Sequence, residues 1–177
     1  KVSPDEAYPD NIDVLVATSG SDRERLWAAR RDLSYATKRL AKKKLSEDVV
    51  VPRTRLPELL DEVSRIGERE QLRMPAYGHA GDGNFHVAFL WNDDAERPRV
   101  DRAIEALFRA TVALGGTLSG EHGIGVLKAP YLGLEQSDAL IAMQERVKAT
   151  FDPKGILNPG KIFPSHAARW PHTHGGC

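Results

Sequence analysis

Apolar and polar positions along the chain divide it into short extended runs and amphipathic helices. Runs rich in β-branched residues at 12–18 and 48–52 predict two strands, which end at Ser-Gly and at Pro. Apolar residues at helical spacing predict a helix over residues 22–45, between these strands. Three lysines at 42–44 are interpreted as the solvated C-terminal end of that helix, where cations are favourable.

A second helix is expected after Thr54, which can cap it, with Pro57 in the first turn. Its predicted apolar face consists of Leu59, Leu60, Val63 and Ile66. Two strands are then predicted on either side of a tight turn, at residues 74–79 and 85–91. A connection this short joins antiparallel strands.

The remaining pattern predicts helices over residues 98–114 and 137–151, with an extended segment at 115–120 between them. Asp-Pro at 152–153 ends the last helix. Because a short hairpin interrupts the alternation of strands and helices, the pattern favours an α+β fold over a doubly wound parallel sheet. The expected architecture is an antiparallel sheet backed by helices.

One domain is the expected organisation, because 177 residues are too few for two comfortable domains. We assign residues 12–164 to this domain, residues 1–11 to a polar leading segment and residues 165–177 to a flexible tail. Three histidines of the tail, His166, His172 and His174, are interpreted as solvent-exposed.

Composition excludes several classes of protein. Lys+Arg 25 and Asp+Glu 25 give a net charge of zero, which removes the electrostatic case for nucleic acid or an anionic membrane as partner. The single cysteine, Cys177, excludes a disulfide framework and a thiolate metal cluster. No apolar run approaches the roughly 20 residues that span a bilayer, and the first residues lack a signal-peptide core. We therefore expect a cytoplasmic protein, with any membrane attachment through partner subunits.

Two histidines of the predicted hairpin are candidate metal ligands. If residues 81–84 form the turn, His79 lies directly opposite His86, and Cβ atoms of opposed residues are roughly 4.5–5.5 Å apart. Two imidazoles at that separation can chelate one ion. The Gly-Asp-Gly-Asn stretch is also compatible with a plain turn, and it lacks the spacing of a dinucleotide or P-loop fingerprint.

Glu121 and His122 place a carboxylate and an imidazole on a second glycine-rich stretch, residues 115–125. Two histidines and one carboxylate form a facial ligand set with open positions for substrate or water. His122 then remains free to act as a base, since neutral imidazole suits that task near pH 7. The spacing alone indicates a metal site and leaves the reaction open.

These motifs resemble the C-terminal substrate (cap) domain of FAD-linked 2-hydroxy-acid oxidoreductases of the glycolate oxidase, D-lactate dehydrogenase and D-2-hydroxyglutarate dehydrogenase type. The blocks that carry the resemblance are Leu26-Trp-Ala-Ala-Arg30, Glu47-Asp-Val-Val-Val-Pro-Arg53, Gly78-His-Ala-Gly-Asp-Gly-Asn-Phe-His86, Gly115-Gly-Thr-Leu-Ser-Gly-Glu-His-Gly-Ile-Gly125 and Phe151-Asp-Pro-Lys-Gly-Ile-Leu-Asn-Pro-Gly-Lys161. They occur in family order and cover most of the chain. The resemblance implies a ferredoxin-like sheet set over the flavin of a separate N-terminal domain.

The resemblance also implies roles for four clustered residues. His79, His86 and Glu121 look like ligands of a divalent metal such as Zn, Mn or Fe. His122 looks like the base that takes the hydroxyl proton of the substrate. The implied reaction is oxidation of a D-2-hydroxy acid, with FAD as the redox cofactor.

Two further residues receive roles from the resemblance. Arg30 resembles the arginine that pairs with the substrate carboxylate, with an exposed helix charge as the alternative. Asn158 lies in a segment that resembles one near the flavin, with a plain turn residue as the alternative. Ser46-Glu47 and Ala88 stand where the hydroxyglutarate enzymes carry Lys and Asn. These departures favour a small monocarboxylate, glycolate or D-lactate, which is oxidised to the 2-oxo acid.

The family's FAD-binding domain and the first part of its cap domain are expected outside these 177 residues, in the same chain or in a partner. Alone, the chain is not expected to turn over substrate, and an unpaired sheet edge would favour a homodimer. Other redox subunits are further expected partners. The alternatives are a non-catalytic cap-like binding module, a subunit of a split redox complex, and a hydrolase that uses metal-bound water.

Overall fold

A computed structural model describes residues 15–163, and that range contains four α-helices and three β-strands. The helices are α1 (Gly20–Lys38), α2 (Leu56–Glu70), α3 (Arg97–Ala113) and α4 (Asp138–Phe151). The strands are β1 (Lys43–Val50), β2 (Ala76–His79) and β3 (Asn84–Trp91). The chain divides into two compact units, with the boundary between Thr37 and Lys38.

The first unit contains α1, which begins after Ser19. The Ser19 hydroxyl accepts a hydrogen bond from the Asp22 N–H at 3.0 Å and so caps the first turn. The strand predicted at residues 12–18 is wrong over 15–18, which are irregular, and its residues 12–14 lie outside the described part of the chain. None of the helices between residues 15 and 163 is long and apolar enough to cross a membrane.

The predicted continuation of α1 to residue 45 is wrong, because the helix ends at Lys38. Lys43 and Lys44 instead begin β1, where they pair with Trp91 and Leu90 of β3. The pairing with a strand almost fifty residues away supplies the backbone hydrogen bonds that a longer helix would have made locally. Lys43 and Lys44 are therefore the start of a strand and not the end of a helix, and Lys42 lies directly before that strand.

The second unit contains a three-stranded antiparallel sheet in the order β1-β3-β2. Thr117 adds an isolated bridge to Val50, with reciprocal N–H···O bonds of 3.1 and 2.8 Å at the outer edge of β1. The chain thus runs β-α-β-β-α and then returns to the sheet at one residue, which matches the ferredoxin-like order with its last strand reduced to a bridge. The predicted α+β fold is confirmed.

One face of the sheet packs against α2 and α3. Alternation along β3 directs Phe85, Val87, Phe89 and Trp91 to this face. The buried residues that α2 and α3 add to the core are Leu59, Val63, Ile66, Val100, Ala103, Ile104, Leu107 and Phe108. The opposite face of β3 carries Asn84 and His86 near the hairpin turn, followed by the buried apolar residues Ala88 and Leu90, and the candidate site lies at its polar end.

The start of α2 differs from the prediction. Thr54 lies inside a short 3-10 helix, Arg53–Arg55, and Arg55 occupies the N-cap position without a side-chain cap. The 3-10 turn gives the N-cap residue a backbone hydrogen bond, since the Arg55 N–H donates to the Pro52 carbonyl at 2.7 Å. Pro57 lies in the first helical turn, as predicted, whereas Leu60 is 39% exposed and lies outside the core.

The two later helices agree with the prediction within one residue at each end. For α4, the Ser137 hydroxyl accepts the Leu140 N–H at 3.3 Å, so the side chain caps the helix start. The helix ends at Phe151, directly before Asp152-Pro153. The predicted tail at 165–177, with its histidines and Cys177, lies outside the described residues.

Glu70 links α2 to α3 and gives a pH-dependent prediction. Its carboxylate accepts hydrogen bonds from Arg69 at 3.1 Å and from Arg102 at 3.0 Å. Burial raises the pKa of Glu70, but the two guanidinium groups outweigh it and hold the pKa below its usual value of 4.5. Because the folded pKa is the lower one, the stabilisation is complete above the unfolded pKa and is lost as the pH falls through the folded one.

We expect Glu70→Gln to lower the free energy of unfolding by about 0.5 to 1 kcal/mol at pH 7, since both arginines are largely exposed. The difference from wild type should shrink as the pH falls below the usual pKa of 4.5. Urea unfolding of both proteins between pH 7 and pH 3 measures it. A difference that grows towards acid pH would contradict the assignment of the stabilising form as the carboxylate.

Candidate functional site

The polar face of the sheet brings the candidate ligands together. His86 on the central strand β3 is paired with Asp48 on β1 and with Tyr77 on β2. Asn84, two residues earlier on the same face, is paired with His79. Side chains from all three strands therefore meet around His86, which is 8% exposed.

The predicted pairing of the hairpin is wrong by two residues, because the turn begins one residue earlier than predicted. His79 pairs with Asn84 and not with His86, because the turn comprises residues 80–83 and not 81–84. The two histidines are diagonal neighbours on one face, with ring centroids 5.8 Å apart and ring planes nearly perpendicular at 80°. The predicted shared face is confirmed, although the predicted direct opposition is not.

Gly83 explains the register. Its φ of +72° places it in the left-handed region that glycine favours, and a Cβ there would lie 2.2 Å from the Val51 carbonyl oxygen. Its own carbonyl accepts the Val51 N–H at 3.1 Å. The turn therefore contacts the end of β1 through Gly83. Because Gly83 makes this contact, it belongs to the turn, and Asn84 is the first residue of β3 that pairs with β2.

His79, His86 and Glu121 form a possible ligand set for one metal ion. One ligand atom from each residue lies within 4.8 Å of the other two, and Nε2 of His86 is 2.9 Å from Oε1 of Glu121. A tetrahedral ion with N and O ligands at about 2.0–2.2 Å holds donor atoms roughly 3.3 Å apart, so modest side-chain movement completes the site. The donor types and their spacing fit a divalent ion, and the exposed positions of His79 and Glu121 leave one side open.

Burial affects the protonation of the central histidine. It lowers the pKa of His86, while the neighbouring Glu121 carboxylate opposes this shift and His122 adds to it. The neutral imidazole is therefore the favoured form of His86 at pH 7, and this is the form that binds metals. The nearby aromatic ring of Tyr77, with its centroid 5.6 Å from that of His86, covers the β2 side of the imidazole.

His122 lies beside this ligand set. Its ring stacks on the ring of His86 with centroids 5.1 Å apart and an interplanar angle of 24°. Nδ1 of His122 is 3.4 Å from the Asp48 carboxylate, and Nε2 is 4.0 Å from the Glu121 carboxylate. The side chain is 44% exposed, so Nε2 can reach a group bound at the open side.

Asp48 is a site residue to which the sequence analysis assigned no role. It is fully buried, and its Oδ2 accepts the backbone N–H groups of Gly120, Glu121 and His122 at 2.7, 2.7 and 3.2 Å. Burial alone would raise the pKa of the Asp48 carboxyl, but hydrogen bonds from Lys128 and from the Glu121 and His122 N–H groups hold the pKa well below its usual range. The sequence did contain a signal for this residue. Asp48 directly precedes the apolar run 49–51, and a charged residue buried beside such a run requires a buried partner.

Lys128 is that partner and is 2% exposed. Its Nζ donates to the Asp48 carboxylate, to the Asp48 carbonyl at 2.9 Å and to the Leu118 carbonyl at 2.8 Å. Glu47 lies 3.7 Å away. Burial raises the pKa of Glu47, although Lys128 opposes that shift.

Between residues 15 and 163, the described hydrogen bonds of Asn158 do not connect it with this cluster. Arg30 lies on α1 in the first unit, half-buried. Asn158 lies in an exposed turn after α4, with φ of +47° and its carbonyl accepting the Lys161 N–H at 3.3 Å. Asp152 holds the start of this turn, since its carboxylate accepts the Ile156 and Leu157 N–H groups at 2.9 and 3.0 Å.

The chain belongs to the family described as FAD linked oxidases, C-terminal domain, which it matches over residues 7–162. Glycolate oxidase subunit GlcD of Bacillus subtilis is 36% identical over 163 residues, which are 90% of this chain and 34% of that protein. Probable mitochondrial D-lactate dehydrogenase of Danio rerio is 39% identical over 155 residues, which are 85% of this chain and 31% of that protein. The chain spans about a third of the length of these relatives.

Proposed function

We propose that this chain is the substrate- and metal-binding part of an FAD-dependent oxidoreductase that converts a small 2-hydroxy acid, glycolate or D-lactate, to the 2-oxo acid. The observation that carries the proposal is the convergence of His79, His86 and Glu121 on one open face, with His122 directly beside them. Relatives named glycolate oxidase and D-lactate dehydrogenase support the substrate class. The second half of the reaction centre, the flavin, belongs to a domain that we place outside the described residues.

The three ligand residues and His122 have different proposed roles, metal binding and proton transfer. His79, His86 and Glu121 would hold a divalent ion, which would supply Lewis-acid chemistry at the substrate hydroxyl. His122 takes the hydroxyl proton at Nε2, because its Nδ1 faces the ionised Asp48 carboxylate and favours the N–H tautomer there. FAD, when bound, supplies the acceptor for the hydride from the α-carbon.

Arg30 and Asn158 complete the proposed assignments. We place the Arg30 guanidinium against the substrate carboxylate, since its planar fork pairs with both carboxylate oxygens. We place Asn158 near the flavin. The apolar side chains around its turn and on α4 are exposed and would pack against the FAD-binding domain: Met143, Val147, Phe151, Ile156 and Leu157.

The preference for a monocarboxylate is supported by the positions of Ser46 and Ala88. Ser46 on β1 pairs directly with Ala88 on β3. Ala88 lies on the same face as His86, two residues further from the hairpin turn. Ala88 is fully buried and has no polar group, so this position offers nothing to a second carboxylate. A second carboxylate would be favoured by a cationic side chain, and neither Ser46 nor Ala88 carries a charge.

Metal content tests the proposal. We expect purified protein without the tail histidines to hold about one divalent ion per chain, and His79→Ala/His86→Ala to hold none, because two of three ligands are removed. Elemental analysis after dialysis measures both. Asp82→Asn, which changes an exposed carboxylate of the same hairpin turn, is the matched control and should keep the ion. Equal metal content in the double variant, or none in wild type, would reject the site.

A further inference from the structure

Glu121 and His122 lie in a loop whose position depends on side-chain contacts. Residues 118–124 belong to no helix or strand, so no ladder of backbone hydrogen bonds fixes them. One carboxylate oxygen of Asp48 accepts three consecutive N–H groups of this loop, from Gly120, Glu121 and His122. The loop is therefore tied to β1 at the residues that carry the proposed ligand and the proposed base.

Lys128 connects Asp48 with the loop at a second point, the Leu118 carbonyl. Its ammonium group bridges the Asp48 carboxylate and the Leu118 carbonyl. Both charges are almost completely buried, at 0% and 2% exposure, so each depends on the other for its stability in the interior. Asp48 and Lys128 thus connect β1 with the loop on both sides of Ser119.

A close approach of backbone to the sheet also supports a defined loop path. A Cβ on Gly120 would lie 2.7 Å from Cγ2 of Val50 and 2.8 Å from Nδ2 of Asn84. Glycine is therefore required where the loop crosses the ends of β1 and β3. The loop lies directly on the strand that carries His86.

We infer that Asp48 and Lys128 are positioning residues that place the Glu121 carboxylate and the His122 imidazole beside His86 before any ion binds. The inference rests on the proposed function, in which Glu121 is a ligand and His122 is the base. Asp48 acts through the backbone N–H groups and through Nδ1 of His122 at 3.4 Å. Neither positioning residue contacts the open side of the ligand set.

Co²⁺ binding is the test, because its visible absorption reports ligand geometry as well as affinity. We expect Asp48→Asn to weaken Co²⁺ binding by about 10- to 100-fold and to change the absorption spectrum, since partners that orient metal ligands have effects of this size. This variant leaves the buried Lys128 with Glu47, 3.7 Å away, as its remaining counter-charge, so the double variant Asp48→Asn/Lys128→Gln is measured with it. The double variant should show the same loss of affinity with unchanged circular dichroism.

Glu70→Gln is the matched control, because it converts another buried carboxylate, one that pairs with two arginines, to an amide far along the chain from the loop. It should leave Co²⁺ affinity unchanged. Hydrogen exchange of the N–H groups of residues 120–122 is followed in every variant without metal. We expect their protection to fall in both Asp48 variants and to persist in the control.

The outcomes separate the inference from the proposed function. Unchanged Co²⁺ affinity in Asp48→Asn/Lys128→Gln, while His79→Ala/His86→Ala loses the ion, would overturn the positioning role and leave the metal site intact. A wild-type chain that binds no Co²⁺ would reject the metal site. Amide exchange would then decide the positioning role by itself, because faster exchange in the Asp48 variants supports it and unchanged exchange overturns it.

Discussion

Replacing His122 with asparagine should reduce turnover by about 10²- to 10⁴-fold in a flavin-loaded protein that contains this domain, since general bases contribute rate factors of this size. The structure leaves no equivalent substitute among the described residues around the ligand set. His79 and His86 are assigned to the ion, and Asp48 is buried beneath the loop. Steady-state oxidation of glycolate and of D-lactate, with an artificial electron acceptor, measures the loss.

Two accompanying measurements identify the role of His122. Flavin content, from visible absorption, should be unchanged, and metal content should also be unchanged because Asn replaces a residue outside the ligand set. Loss of the metal together with turnover would make His122 a ligand and not a base. Unchanged turnover would remove His122 from proton transfer altogether.

Phe89→Ala should lower the free energy of unfolding by about 3 to 5 kcal/mol, because truncation of a buried aromatic side chain removes its transfer energy and leaves a cavity. Phe89 is fully buried at the centre of the core between the sheet and the two helices packed on it. Neighbouring large side chains such as Phe108 and Leu59 are themselves fully buried, which limits how far the core can collapse into the space. Urea unfolding followed by far-UV circular dichroism measures the change.

Phe151→Ala is the matched control, since this phenylalanine is 79% exposed at the end of α4. Its truncation should change the free energy of unfolding by no more than about 0.5 kcal/mol. A cost below about 1 kcal/mol for Phe89→Ala would contradict the assignment of Phe89 to the core. A large cost for Phe151→Ala would show that α4 is covered within this chain.

Local patterns predicted the elements that bury one face or end at a strong breaker. The helix over Asp138–Phe151 has a serine cap and ends at Asp-Pro, and α3 has a continuous apolar face. The strands of the hairpin have β-branched and aromatic residues on either side of a glycine-rich turn. These features depend on neighbours in the sequence, so the sequence alone is sufficient to predict them.

The errors occurred where a distant partner determines the local structure. Lys43 and Lys44 follow a helical pattern, but pairing with β3 places them in a strand. The hairpin pairing differs from the prediction by two residues because Gly83 contacts Val51, and this contact cannot be read from the turn itself. A shift of two residues keeps each side chain on its face but changes its partner, so the observed register places Tyr77, and not His79, opposite His86.

The sequence by itself determined the α+β class, the family and the set of His79, His86, Glu121 and His122 as candidate site residues. Motifs and periodicity are local properties, and they carry this information without coordinates. Only the tertiary structure decided how these residues meet, because a buried carboxylate, Asp48, ties a loop more than seventy positions away in the chain to the first strand of the sheet. Such a contact depends on the folded path of the chain, which sequence spacing does not contain.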